Sequence, residues 1–70
     1  MAHAKITIEG MSCEHCVAAV TGAIAALPGT SGIAVDLAGG SAEFDYDPAQ
    51  ASVGEAVGAI EDQGFDAAEA

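Results

Sequence analysis

Lys5-Ile6-Thr7-Ile8-Glu9-Gly10-Met11-Ser12-Cys13-Glu14-His15-Cys16 is the stretch in which this chain changes its hydrophobic period. From Lys5 to Glu9, Ile6 and Ile8 alternate with Lys5, Thr7 and Glu9, the pattern of a half-buried strand. Gly10 ends the alternation, and Gly10 to Cys13 reads as a loop. From Glu14 to Leu27 the pattern becomes helical, with Cys16, Val20, Ala23, Ile24 and Leu27 on one face. Pro28-Gly29 stops that helix. Gly22 within it lowers helix propensity and leaves room for another element to approach closely.

Further along, Ile33, Val35 and Leu37 alternate with Ala34 and Asp36, and Phe44 and Tyr46 alternate with Glu43, Asp45 and Asp47. Gly39-Gly40 between the runs marks a hairpin, and Asp47-Pro48 closes its second strand. Ser52-Val53-Gly54-Glu55 has the spacing of a capping box, and Val53, Ala56, Val57 and Ile60 form a helical stripe ending near Gly64. Phe65 to Ala68 reads as a short last strand. The order strand, helix, strand, strand, helix, strand predicts an α+β fold. It is the ferredoxin-like βαββαβ sandwich, two helices on one face of a four-stranded antiparallel sheet.

The 70 residues allow one domain, residues 1–70. Its large core formers are few: Ile6, Ile8, Val17, Val20, Ile24, Leu27, Ile33, Val35, Leu37, Phe44, Val57, Ile60 and Phe65. A chain of this size buries only about 60% of the surface that its unfolded form exposes, which leaves little room for a catalytic cleft. No apolar run approaches the roughly 18 residues of a membrane span. The N-terminus lacks the basic and hydrophobic blocks of a secretory signal, so the expected compartment is the cytoplasm. Lys5 stands alone against eleven carboxylates, for a formal net charge of −10. That balance excludes nucleic acid and anionic lipid as partners, since both demand phosphate-neutralising cations.

Cys13 and Cys16 are too close in sequence to staple a fold, because the loop they would close is tiny. In a reducing compartment they are thiols. At a strand-to-helix junction their sulfurs can converge on one ion, with Cys16 partly shielded on the helix stripe and Cys13 more exposed. A helix N-terminus favours thiolate over thiol, and soft thiolates select Cu(I), zinc or iron–sulfur chemistry. Closed zinc sites take about four ligands, and this chain has two cysteines and two histidines. His3 falls at the far end of the first strand. Two sulfurs therefore suit low-coordinate Cu(I) better than tetrahedral zinc.

Neighbouring residues carry weaker signals. His15 reads as an exposed residue of the first helical turn, with a transient third ligand or a proton-sensitive neighbour of the site as its functional alternative. Met11 has a thioether able to bind Cu(I) but reads as core packing. Phe65, after the Gly64 turn, is placed to fold back towards the loop, where its ring would limit solvent access to the sulfurs; plain core packing is the alternative. If Met1 carries a free amine, His3 has the spacing for Cu(II) held by amine, amides and imidazole, against the simpler reading of an ordinary histidine.

Gly10-Met11-Ser12-Cys13-Glu14-His15-Cys16 resembles the Gly-Met-x-Cys-x-x-Cys loop of heavy-metal-associated domains. The resemblance extends over Asp45-Tyr46-Asp47-Pro48 and Ile60-Glu61-Asp62-Gln63-Gly64-Phe65-Asp66. That family includes bacterial copper chaperones and the N-terminal domains of metal-transporting P-type ATPases. The resemblance implies that Cys13 and Cys16 bind the metal. It also implies transfer by thiolate exchange to a similar domain, such as that of a copper-transporting P-type ATPase. A homodimer bridged by a shared metal is the other assembly open to paired thiolates. Family members for zinc, cadmium and lead often carry an acidic residue where this chain has Ser12, which favours copper, although mercury-binding members are similar in this loop. The chaperones commonly carry Tyr or Lys at the place of Phe65, and Phe is frequent in the ATPase domains. The Met start and short length point instead to a free chaperone.

Three functions follow from the same residues. The first is a soluble, non-enzymatic Cu(I) chaperone, and the second a regulatory metal-binding domain of an ATPase. The third is a thiol–disulfide oxidoreductase, disfavoured because neither Pro28 nor Pro48 lies beside the cysteines and such enzymes use a larger fold.

Overall fold

In a computed structural model that describes all 70 residues, the elements are β1 (Ala2–Glu9), α1 (Glu14–Ala25), β2 (Thr30–Asp36), β3 (Ser41–Tyr46), α2 (Val53–Asp62) and β4 (Asp66–Glu69). The expected order is therefore observed. β1 begins at Ala2, before the alternation of large residues starts, because Ala2, His3 and Ala4 pair with Tyr46, Asp45 and Phe44 of β3. The inward position there is filled by Ala4, too small to mark a period by itself. β2 likewise starts at Thr30 and carries a bulge between Ser31 and Ala34, while Leu37 falls into the turn that follows. β4 begins at Asp66, one residue after Phe65.

The four strands run in the order β2-β3-β1-β4, with every neighbouring pair antiparallel. Ala4, Ile6 and Ile8 of β1 and Ala42 and Phe44 of β3 face Val20 and Ile24 of α1 and Ala56 and Ile60 of α2 in one core. Both helices thus cover one face of the sheet, matching the ferredoxin-like expectation. Several of the core positions are alanines, so α2 can pack close to the sheet at Ala56 with little volume to fill. Val57 is only half-buried at the core's margin, and Val17, also half-buried, does not pack against the core.

Helix ends are closed by local polar contacts. The Ser52 hydroxyl accepts the Glu55 amide at 3.2 Å, the N-cap half of the expected capping box. The Glu55 carboxylate returns to the Ser52 hydroxyl at 3.3 Å rather than to its backbone amide. At the end of α1 the Thr30 hydroxyl is directed at the carbonyls of Ile24 and Leu27, at 2.9 and 3.0 Å, tying the helix terminus to the start of β2. Contrary to the expectation at Gly22, no element packs close to it. A Cβ there, or at Gly58 in α2, would meet nothing within 4 Å.

Gly22→Ala and Gly58→Ala should each raise stability by about 0.5–1 kcal/mol, because each adds helix propensity without a clash. Ser52→Ala should lower it by about 1 kcal/mol through the lost cap. Urea denaturation of the metal-free proteins measures all three; a destabilised Gly22→Ala would mean that something does pack against α1 there.

Candidate metal site

β1 delivers the chain into the loop at Gly10, whose φ of +100° suits glycine alone among common residues. A Cβ at Gly10 would lie 3.5 Å from Cδ1 of Phe65, so the phenyl ring rests against the loop backbone. Glu9 pairs with Asp66 across β1 and β4, which brings the Gly64–Phe65 turn to this end of the sheet. Phe65 therefore lies where its position after Gly64 suggested, half-buried against the core and touching the loop. Met11 packs against the core, as its simpler reading held.

Cys13 is the N-cap of α1, in extended conformation. Its carbonyl accepts the amides of Cys16 at 3.0 Å and Val17 at 3.3 Å, which starts the helix. Serine or aspartate in this place would turn a side-chain oxygen onto the first-turn amides; Cys13 makes no such bond. Its sulfur turns instead to Cys16, with the two Sγ atoms 3.7 Å apart. Cys13 is exposed and Cys16 half-buried, as the helical stripe predicted.

The Cys16 thiol is held below its ordinary value, chiefly by the Ser12 backbone amide directed at its sulfur and next by the Cys13 thiol. The Cys13 amide and the Ser12 hydroxyl add to this, against desolvation, which pushes the other way. Sequence reasoning expected a helix N-terminus to favour thiolate. The loop's own donors do so as well, and nothing in the identity of Ser12 signals that its amide faces Cys16.

His15 is exposed and joins no cluster with the cysteines. Indeed no group of three His, Cys, Asp or Glu side chains converges to hold a metal anywhere in the molecule. His3 lies at the other end of β1, with Nδ1 2.9 Å from an Asp45 oxygen, so the nitrogen that an amino-terminal Cu(II) site would use is already engaged. The candidate site is thus two soft sulfurs of unequal exposure. At 3.7 Å they are close enough for one ion to sit about 2.3 Å from each.

The chain from residue 5 to residue 66 matches the model of the heavy-metal-associated domain. The copper chaperone CopZ of Bacillus subtilis (strain 168) is 41% identical over 68 residues, 97% of this chain and 99% of that protein. CopZ of Staphylococcus haemolyticus (strain JCSC1435) is 46% identical over 66 residues, 94% of this chain and 97% of its own. Among solved structures, a copper binding domain from HMA7, a P-type ATPase, superposes with a TM-score of 0.95 at 27% identity, over 100% of this chain and 95% of that domain. Sequence and fold agree over nearly the whole length, and the chain belongs to the heavy-metal-associated domain family.

Proposed function

We propose that this protein is a soluble Cu(I) chaperone that holds one ion between Sγ of Cys13 and Sγ of Cys16 and passes it on by ligand exchange. The observation that carries the reading is the pair of sulfurs 3.7 Å apart, one exposed and one half-buried, with no third donor converging on them. A two-thiolate set suits low-coordinate Cu(I), whereas tetrahedral zinc needs further ligands. The near full-length likeness to CopZ copper chaperones supports the same ion.

Exposed Cys13 is the sulfur that a partner reaches first, and Cys16 is the anchor. An incoming thiolate forms its bond to the ion as the Cys13–metal bond breaks; Cys13 is then free to take a proton, and no electron is transferred. The partner is a copper-transporting P-type ATPase or a similar domain with paired cysteines, and delivery takes place in the cytoplasm. No helix of the chain is long and apolar enough to cross a membrane. A regulatory domain of such an ATPase is the second reading, favoured by Phe65 and by the likeness to the HMA7 domain.

Anaerobic titration of the reduced protein with Cu(I) against a chromophoric chelator should give one tightly held ion per chain. Binding should be far stronger than for Zn(II) and absent in the Cys13→Ser/Cys16→Ser double variant; zinc winning at equal free metal would overturn the copper assignment. In the same competition Cys16→Ser should weaken capture more than Cys13→Ser, by about tenfold, corresponding to ~1.4 kcal/mol. An equal or reversed order would remove the anchor role from Cys16. With Cys13→Ser leaving one thiol, iodoacetamide should alkylate Cys16 with a pH midpoint below that of an ordinary thiol, since its thiolate persists to lower pH. A midpoint at or above the ordinary value would show that the loop amides do not act on it.

A further inference from the structure

Away from the sulfurs, His3 stands on the open face of the sheet with a carboxylate oxygen at each ring nitrogen. Nδ1 is 2.9 Å from Oδ1 of Asp45, its direct cross-strand partner, and Nε2 is 3.1 Å from Oε1 of Glu43. Glu43 reaches diagonally to make that contact. Lys5, its direct partner across β1 and β3, forms no ion pair with it.

This geometry dictates a protonation state. A neutral imidazole has one N–H and one lone pair, so one of its nitrogens would face a carboxylate oxygen acceptor to acceptor. Only the imidazolium, with an N–H at each nitrogen, can donate to both carboxylates. We propose that His3, Asp45 and Glu43 form a proton-operated clip that fastens the N-terminal end of β1 to β3 while His3 is charged and loosens it when His3 loses its second proton. The His3 pKa is raised from 6.5, first by the Asp45 hydrogen bond and then by the Glu43 one; desolvation acts against them, and the charges of the two carboxylates add to the rise.

The surroundings leave few other charges to compensate. β3 contributes Glu43 and Asp45 to this face, and β1 itself contributes Lys5. β4 pairs with β1 only from Ile6 onward and stops short of His3. β2 brings no ionisable side chain beside Asp45; its cross-strand partner there is Ser31. The bulge next to Ser31 holds Gly32 at φ +61°, where a Cβ would come within 2.8 Å of Oδ2 of Asp45. The bulge glycine thus leaves space for the carboxylate that His3 grips. Both helices lie behind the sheet, on its other face. Once the imidazolium deprotonates, two carboxylates remain with Lys5 as the sole nearby side-chain cation.

Because the folded value lies above the unfolded one, the sign is fixed. The clip's contribution is complete below pH 6.5, declines as pH rises through the raised folded value, and is absent above it. The His3 side chain is 56% exposed, so salt weakens the clip. None of this involves the metal loop, so the proposal stands or falls separately from the copper reading.

The test uses the metal-free, reduced chain. In a His15→Gln background His3 is the one imidazole, and its ring resonances should titrate with a midpoint above 6.5 that falls in Asp45→Asn and in high salt. Urea denaturation from about pH 6 to about pH 9 is then compared among His3, His3→Gln and His3→Lys, all in that background. The His3 protein should be more stable than the Gln variant at the acid end and lose that advantage at the alkaline end. The Lys variant, charged throughout, should show no such decline relative to Gln. Titration of the cysteines is common to all three proteins and cancels in the differences. A His3 midpoint at or below 6.5, or a His-to-Gln difference that stays constant over the range, would overturn the clip.

Discussion

A slip of β1 by one residue would place His3, Lys5 and Thr7 beneath the helices in place of Ala4, Ile6 and Ile8. Burying a lysine and a histidine in an apolar core with no partner costs far more than a small domain can sustain. Register is therefore pinned by the core, and the rest follows from it. Cross-strand pairs fix Glu9 opposite Asp66, which sets the loop after β1 beside the turn before β4. The same register sets His3 opposite Asp45 at the other end. Two sites of different chemistry hang from one strand because that strand can sit in only one way.

The sulfur loop is purchased with local stability. An N-cap without an oxygen leaves first-turn amides of α1 without the partner that serine or aspartate would provide, and Cys13 stays exposed to solvent. The helix N-terminus and the Ser12 amide together favour thiolate at Cys16. What weakens the helix start is thus also what favours thiolate at Cys16. Phe65 rests against Gly10 and so covers the loop backbone on that side.

Much of this was legible in the residues, because burial leaves a periodic trace. The alternation around Ile6 and Ile8 and the helical stripe through Val20 and Ile24 each record which side of an element faces the core, and Gly39-Gly40 marks where the chain reverses. The half-buried state of Cys16 was legible for the same reason, since it lies on that stripe. Alanine leaves no such trace. Ala4, Ala42 and Ala56 are core residues that a search for large side chains passes over, and the early start of β1 went unread with them. Contacts between distant polar residues are equally silent. Periodicity tells that Asp45 points to the open face, but only the strand register tells that His3 meets it there. Thr30 capping the carbonyls of α1 is invisible for a similar reason, since a threonine at a strand start has an ordinary explanation already.

The distance between the two ends of β1 decides how they act together. Seven residue steps separate His3 from Gly10, about 23 Å at the rise of an extended strand. No side chain bridges that span, and the strand between is paired with β3 from Ala2 to Thr7 and with β4 from Ile6 to Glu9. Free-energy changes at sites so far apart, with no shared partner, add rather than couple. A metal ion held at the sulfurs would stabilise the folded chain by mass action, whatever the charge of His3. The proton on His3 in turn tightens the opposite end of the sheet without altering the reach of Cys13 to a partner. A rigid strand with a pinned register lets one small core carry both.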